Sequence, residues 1–87
     1  MAPVSEARLE LFHAIGDESS ARVRRWVADH ELLEQVRFRN VVYPEVMADL
    51  TARGGHGAPA LWNGITLVSG ADAVIAALSA WSDVGRG

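Results

Sequence analysis

The stretch Gly57-Ala58-Pro59-Ala60-Leu61-Trp62-Asn63-Gly64-Ile65-Thr66-Leu67-Val68-Ser69-Gly70-Ala71-Asp72 holds the sharpest signals in the chain. Asn63-Gly64 sits between two apolar runs. Asn-Gly is the strongest short hairpin signal, because both central residues of a type I′ turn need positive φ. Ala60–Trp62 and Ile65–Val68 are therefore expected to pair as antiparallel strands. Gly70 breaks the pattern, and Asp72 is placed to cap a last helix with Val74, Ile75, Leu78 and Trp81 on its inner face.

Upstream the periodicity switches several times. Leu9 to His13 reads as a short strand covered on both sides. After the loop Ile15-Gly16-Asp17, Val23, Trp26, Val27 and His30 fall at i, i+3, i+4 and i+7. They predict a helix from Ser19 to about His30, with Asp17 or Ser19 as N-cap. Val36–Val42 is expected to be a second strand, with Val36, Phe38 and Val42 inward and Arg37 and Arg39 outward. Pro44 and Glu45 then suit a first helical turn, Val46, Met47 and Leu50 its buried face, and Gly54-Gly55 its end. The order strand, helix, strand, helix, hairpin, helix predicts an α/β domain. A right-handed βαβ unit and a ββα unit would form a four-stranded mixed sheet flanked by three helices.

With 87 residues the chain holds one domain, residues 1–87, its core at about 8–82. Met1–Glu6 reads as a frayed lead-in and Asp83–Gly87 as a polar tail, and there is no internal repeat. A domain this small buries about 60% of its unfolded surface, and a hydrophobic content of 49% suffices for that without staples. Cysteine is absent, which removes disulfides, a thiolate nucleophile and Cys-based zinc sites. The net charge is −3, and the eight basic residues, all Arg, are interspersed with acids. No basic face for nucleic acid is expected. No apolar run approaches the ~20 residues of a membrane span and no signal segment is evident, so the expected location is cytoplasmic. The three dispersed histidines make no recognisable metal site.

Gly57-Ala58-Pro59-Ala60-Leu61-Trp62 resembles the segment around the cis-proline of glutaredoxins and of glutathione transferase N-terminal domains. Ser69-Gly70-Ala71-Asp72 falls where glutaredoxins carry Gly-Gly-x-Asp, and Ser20-Ala21-Arg22-Val23-Arg24 looks like the start of the first transferase helix. The resemblance spans about Leu9 to Trp81 and implies a thioredoxin-like fold with a cis bond before Pro59. It also implies that the Ala58 backbone pairs with a ligand. By the same resemblance Asp72, with Gly70 and the Ala71 amide, would hold the γ-glutamyl end of glutathione. Arg53 and His56 are candidates for contacting a ligand carboxylate.

One departure is decisive. Ser20 aligns with the second cysteine of the glutaredoxin C-x-x-C motif and Asp17 with the first; a one-residue shift substitutes Glu18 or Ser19. Neither side chain can carry out thiol–disulfide exchange. Ser19 or Ser20 remains a candidate for stabilising the thiolate of bound glutathione from the helix N-terminus. The negative charges of Asp17 and Glu18 oppose that by raising the thiol's pKa. A hydrolase triad of Ser20, His56 and Asp17 lacks the nucleophile elbow such sites need. Asp17 as a helix cap, Ser20 as an ordinary exposed first-turn residue and Arg22, Arg24 and Arg25 as a solvated face are the plainer readings.

Three functions are thus expected, in order. The first is a redox-inactive binding module for glutathione or a peptide segment, with no cofactor required. The second is a minimal glutathione-dependent transferase. The third is a structural subunit that meets a protein partner or a second copy of itself, with Trp62 the aromatic expected to be exposed.

Overall fold

The computed structural model describes residues 9–86, in the order β1 (Leu9–His13), α1 (Glu18–Asp29), β2 (Val36–Asn40), α2 (Pro44–Ala52), β3 (Ala60–Trp62), β4 (Leu67–Ser69) and α3 (Ala71–Arg86). The expected lead-in over 1–6 lies outside the described residues. The four strands form one mixed sheet in the order β2-β1-β3-β4. β1 runs parallel to β2 and antiparallel to β3, and β3 antiparallel to β4. The fold is the expected small α/β arrangement with three helices.

Alternation along β1 divides the core in two. Leu9 and Leu11 join Val23, Val27, Leu32, Val36, Leu61, Val74 and Leu78 under α1 and α3. Phe12 joins Val46, Leu50 and Ala60 under α2 on the other face. Asp17 caps α1 as expected, its carboxylate accepting the Ser20 N–H at 2.8 Å.

Several expectations change. The hairpin closes through four residues, because Trp62 pairs with Leu67 and Asn63 keeps negative φ while Gly64 takes +99°. The Asn63 side chain itself accepts the N–H groups of Ile65 and Thr66 at 2.8 Å. That local bond displaces the two-residue turn and leaves Ile65 exposed. Phe38 is exposed because β2 is an edge strand, beyond the cover of α1 and α3, and the strand ends at Asn40 rather than Val42, which leaves Val42 exposed in the turn that follows. Arg39 is not outward: its side chain is only 12% exposed, since the second sheet face lies under α2. His30 is exposed at the end of α1, stacked on Trp26 at 3.7 Å, and Leu32 fills the core position instead. Asp72 lies within the first turn of α3 and Gly70 precedes the helix. The expected polar tail is helical to Arg86, no proline intervening to stop it.

Gly55 is buried where α2 turns back to the sheet. A Cβ there would meet Leu50 Cδ1, and would lie 2.8 Å from Leu50 Cγ and 2.9 Å from Leu67 Cδ2. Leu50 is fully buried and has little room to yield. Gly55→Ala is therefore expected to cost about 1–3 kcal/mol, as overpacking does, read as a lower urea midpoint at unchanged slope.

Candidate functional site

Strand register collects most of the expected site residues at one end of the sheet. Phe12 pairs with Ala60 and Ala60 with Ser69, so His13-Ala14, Ala58-Pro59 and Gly70-Ala71 all continue past that same edge. The N-termini of α1 and α3 open beside it. An ion pair of 2.8 Å between Arg22 of α1 and Asp72 of α3 ties the two together. Both side chains are largely solvated, so this contact is weak and exchangeable.

The Ala58–Pro59 peptide bond is cis. Pro59 is buried and its carbonyl accepts the Gly70 N–H at 2.9 Å, which anchors the loop to the start of α3. Ala58 is half-buried, and neither its N–H nor its C=O makes a hydrogen bond among the described residues. The first three N–H groups of α3 are also without helical acceptors, the ladder beginning with Val74 N–H to Gly70 C=O at 2.9 Å.

The hydroxyl candidates separate. Ser20 is fully buried and its Oγ accepts the Ala14 N–H at 3.1 Å, so it is a structural tie of the β1–α1 loop. This overturns its reading as an exposed residue and leaves Ser19 as the solvent-facing hydroxyl of the pair. Ser20, Val23 and Val27 share one helical face, and that spacing was the available signal. Ser19 is exposed. Asp17 is committed to the cap. Glu18, Ser19, Arg22 and Arg25 line a shallow, open depression on the outer side of α1.

Arg53 does not join this end of the sheet. It closes α2 and folds back over the opposite end, its Cζ 4.9 Å from the Trp62 ring and 5.7 Å from Phe12. There Nη1 lies 3.1 Å from Glu10 Oε2, an ion-pair distance without hydrogen-bond alignment. Trp62 is in turn half-buried rather than exposed. His56 is exposed in the loop between α2 and β3, and makes no hydrogen bond among the described residues.

Sequence reasoning missed two clusters. Glu10 bridges Arg53 and Arg39, whose second nitrogen reaches Asp49 at 2.8 Å. The hydrogen bond from Arg39 holds the Asp49 carboxyl below its usual range. The second cluster is buried His13, whose Nδ1 lies 3.1 Å from Arg24 Nη1, while Nη1 also donates to the Ala14 carbonyl at 3.2 Å. Burial, and then the Arg24 charge, push the imidazole below its ordinary value.

Among the described residues no His, Asp or Glu group is arranged to hold a metal, and no helix is long and apolar enough to cross a membrane. Compared with models of protein families, with curated proteins and with solved structures, the chain matches none of them.

Proposed function

We propose that this chain is a thioredoxin-like binding module that has no redox chemistry of its own and takes glutathione or an extended peptide segment at the Ala58 end of its sheet. The observation that carries the reading is that, among the described residues, the N–H and C=O of Ala58 have no partner. A half-buried residue with a free N–H and a free C=O at a sheet end offers the two bonds by which a peptide-like ligand adds itself to a sheet. The sheet order, the flanking helix N-termini and the exposed Asp72 carboxylate support the same ligand class, since Asp72 can exchange Arg22 for a ligand ammonium. A transferase reading is less favoured, because Ser20 is buried and Asp17 and Glu18 place negative charge on either side of a thiolate that exposed Ser19 would have to stabilise.

Titration of labelled protein tests this. Glutathione and S-methylglutathione are both expected to shift the amides of Ala58, Ala71 and Asp72 with a Kd of about 1 mM, equivalent to about −4 kcal/mol. The methylated ligand should bind as well as the free thiol, because no thiol chemistry is involved. N-acetyl-tetra-alanine amide serves as the peptide arm, and shifts with it alone would assign a peptide ligand. Asp72→Asn should weaken the two tripeptides about threefold, an exposed ion pair's worth, and leave the alanine peptide unaffected. No shift at those amides with any of the three at ~10 mM overturns the proposal.

A further inference from the structure

His13 ends β1 directly before the loop that borders the Ala58 end of the sheet. Two side chains meet its ring. Phe38 of β2 lies at 5.5 Å in a tilted contact, Asn40 is its neighbour in register, and Arg24 of α1 meets Nδ1. An arginine only donates, so Nδ1 must accept and the ring proton must sit on Nε2. The same Arg24 nitrogen donates to the Ala14 carbonyl, while the Ala14 N–H goes to Ser20 Oγ. Both backbone groups of Ala14 are thus fastened to α1, one of them through a cation that needs a neutral histidine.

Of the other charged groups on the surrounding elements, Glu18, Arg25 and Asp29 of α1 and Arg37 of β2 make no contact with the ring among the described residues, and the rest are engaged elsewhere. Asp17 accepts the Ser20 N–H, Asp72 of α3 pairs with Arg22, and Arg39 of β2 turns to the opposite sheet face toward Glu10 and Asp49. Among the described residues no carboxylate lies against the ring to compensate a charge at position 13; Arg24 is the charge that acts on it.

We propose that His13 and Arg24 form an acid-released latch on the β1–α1 loop. A proton added at Nδ1 turns the acceptor of the Arg24 bond into a donor facing a donor, in a buried place, so that the guanidinium leaves and Ala14 loses its tie to α1. Ring rotation gives no escape, because both nitrogens of the imidazolium donate. The latch is independent of any ligand at Ala58 and stands whether or not glutathione binds.

Side-chain and amide spectra followed from pH 8 to pH 5 test the latch. In the native chain the His13 ring, the Arg24 Nε–H and the amides of Ala14, Ile15 and Gly16 should move together, with one midpoint below the ordinary histidine value of 6.5. His13→Gln keeps an acceptor for Arg24 and removes the titration, so its loop amides should stay still over this range. Arg24→Met should raise the midpoint of the His13 ring and uncouple the loop amides from it, which decides the matter if the glutamine variant does not fold. Loop amides that stay still while the native His13 ring titrates overturn the latch. So does the same loop transition persisting in either variant.

A ring kept neutral by the fold is matched in the unfolded chain above pH 6.5, so stability is complete there. It falls as the pH drops from 6.5 toward the folded-state value, because the unfolded chain binds the proton first. The thermal midpoint should decline over that window, and less steeply in His13→Gln.

Discussion

Glu10→Gln should destabilise the fold by about 3 kcal/mol, the lower end of the ~3–5 kcal/mol expected when one partner of a buried ion pair is removed, because Glu10 keeps 20% exposure. Glu10 is the hub under the end of α2. Its Oε1 accepts from Arg39 Nη1 at 2.6 Å and its Oε2 faces Arg53 Nη1 at 3.1 Å, with the Glu10 side chain 20% exposed. Both guanidinium groups lie within 6 Å of the Phe12 ring, at 5.5 and 5.7 Å. Glutamine keeps the shape and one acceptor oxygen. Its NH₂ then turns toward the second guanidinium, donor against donor, and two cations share one apolar ring with only Asp49 to balance them. Asp49 is half-exposed and its pair with Arg39 is correspondingly diluted. The full loss is therefore not recovered from that side. Urea unfolding reads the effect, and Asp49→Asn provides the control, since a half-solvated carboxylate should cost less than Glu10. Equal losses for the two variants would show that the network carries no special weight.

This cluster also shows where sequence reasoning reaches and where it stops. Period-two alternation in β2 put Arg37 and Arg39 together on one face of the sheet, and alternation in β1 set Glu10 apart from Leu9 and Leu11. It could not say that α2 covers part of that face, and so Arg39 was expected in water. Element order and strand pairing were legible because each rests on local signals: the Asp17 cap, Pro44 at a helix start, the apolar faces of α1 and α3. The hairpin failed locally, where the Asn63 side chain competes with the backbone for the same N–H groups. At the site, the cis bond and the gathering of Ala58, Gly70, Ala71 and Asp72 were legible from sequence spacing read beside a resemblance. Arg53 was misplaced because only the path of α2 carries it to the far end of the strands. The His13–Arg24 pair joins residues eleven apart across a strand-to-helix turn, and no period in the sequence marks such a contact.

The double variant Asp17→Cys, Ser20→Cys should acquire the activity the native chain lacks. The structure sets the two positions in a suitable relation, residue 17 as the N-cap and residue 20 in the first turn, joined by the 2.8 Å bond from the Ser20 N–H to the Asp17 carboxylate. A thiolate at position 17 would inherit that N–H and the positive end of α1. Both lower a thiol's pKa below the ordinary value of about 8.5, and two cysteines spaced this way at a helix start close a disulfide. Position 20 is fully buried and its native hydroxyl serves Ala14. The second thiol would thus be shielded, while the first, on a half-exposed residue, would meet the substrate. The expected results are a loss of two hydrogens in mass on air oxidation, and reduction of insulin by dithiothreitol at a rate above the uncatalysed one. Asp17→Cys alone should form mixed disulfides and fail to resolve them, and Ser20→Cys alone should resist alkylation in the folded state. The stability cost is expected to be about 1–2 kcal/mol from the lost cap and about 1–3 kcal/mol from the Ala14 N–H that loses its hydroxyl acceptor, which the chain must tolerate for the assay to be read; circular dichroism of the variant settles that beforehand. A folded double variant that closes its disulfide yet reduces no insulin would count against the thioredoxin-like reading of the Ala58 end. One that never closes would count against the proposed correspondence of Asp17 and Ser20 with the two cysteines of the glutaredoxin motif.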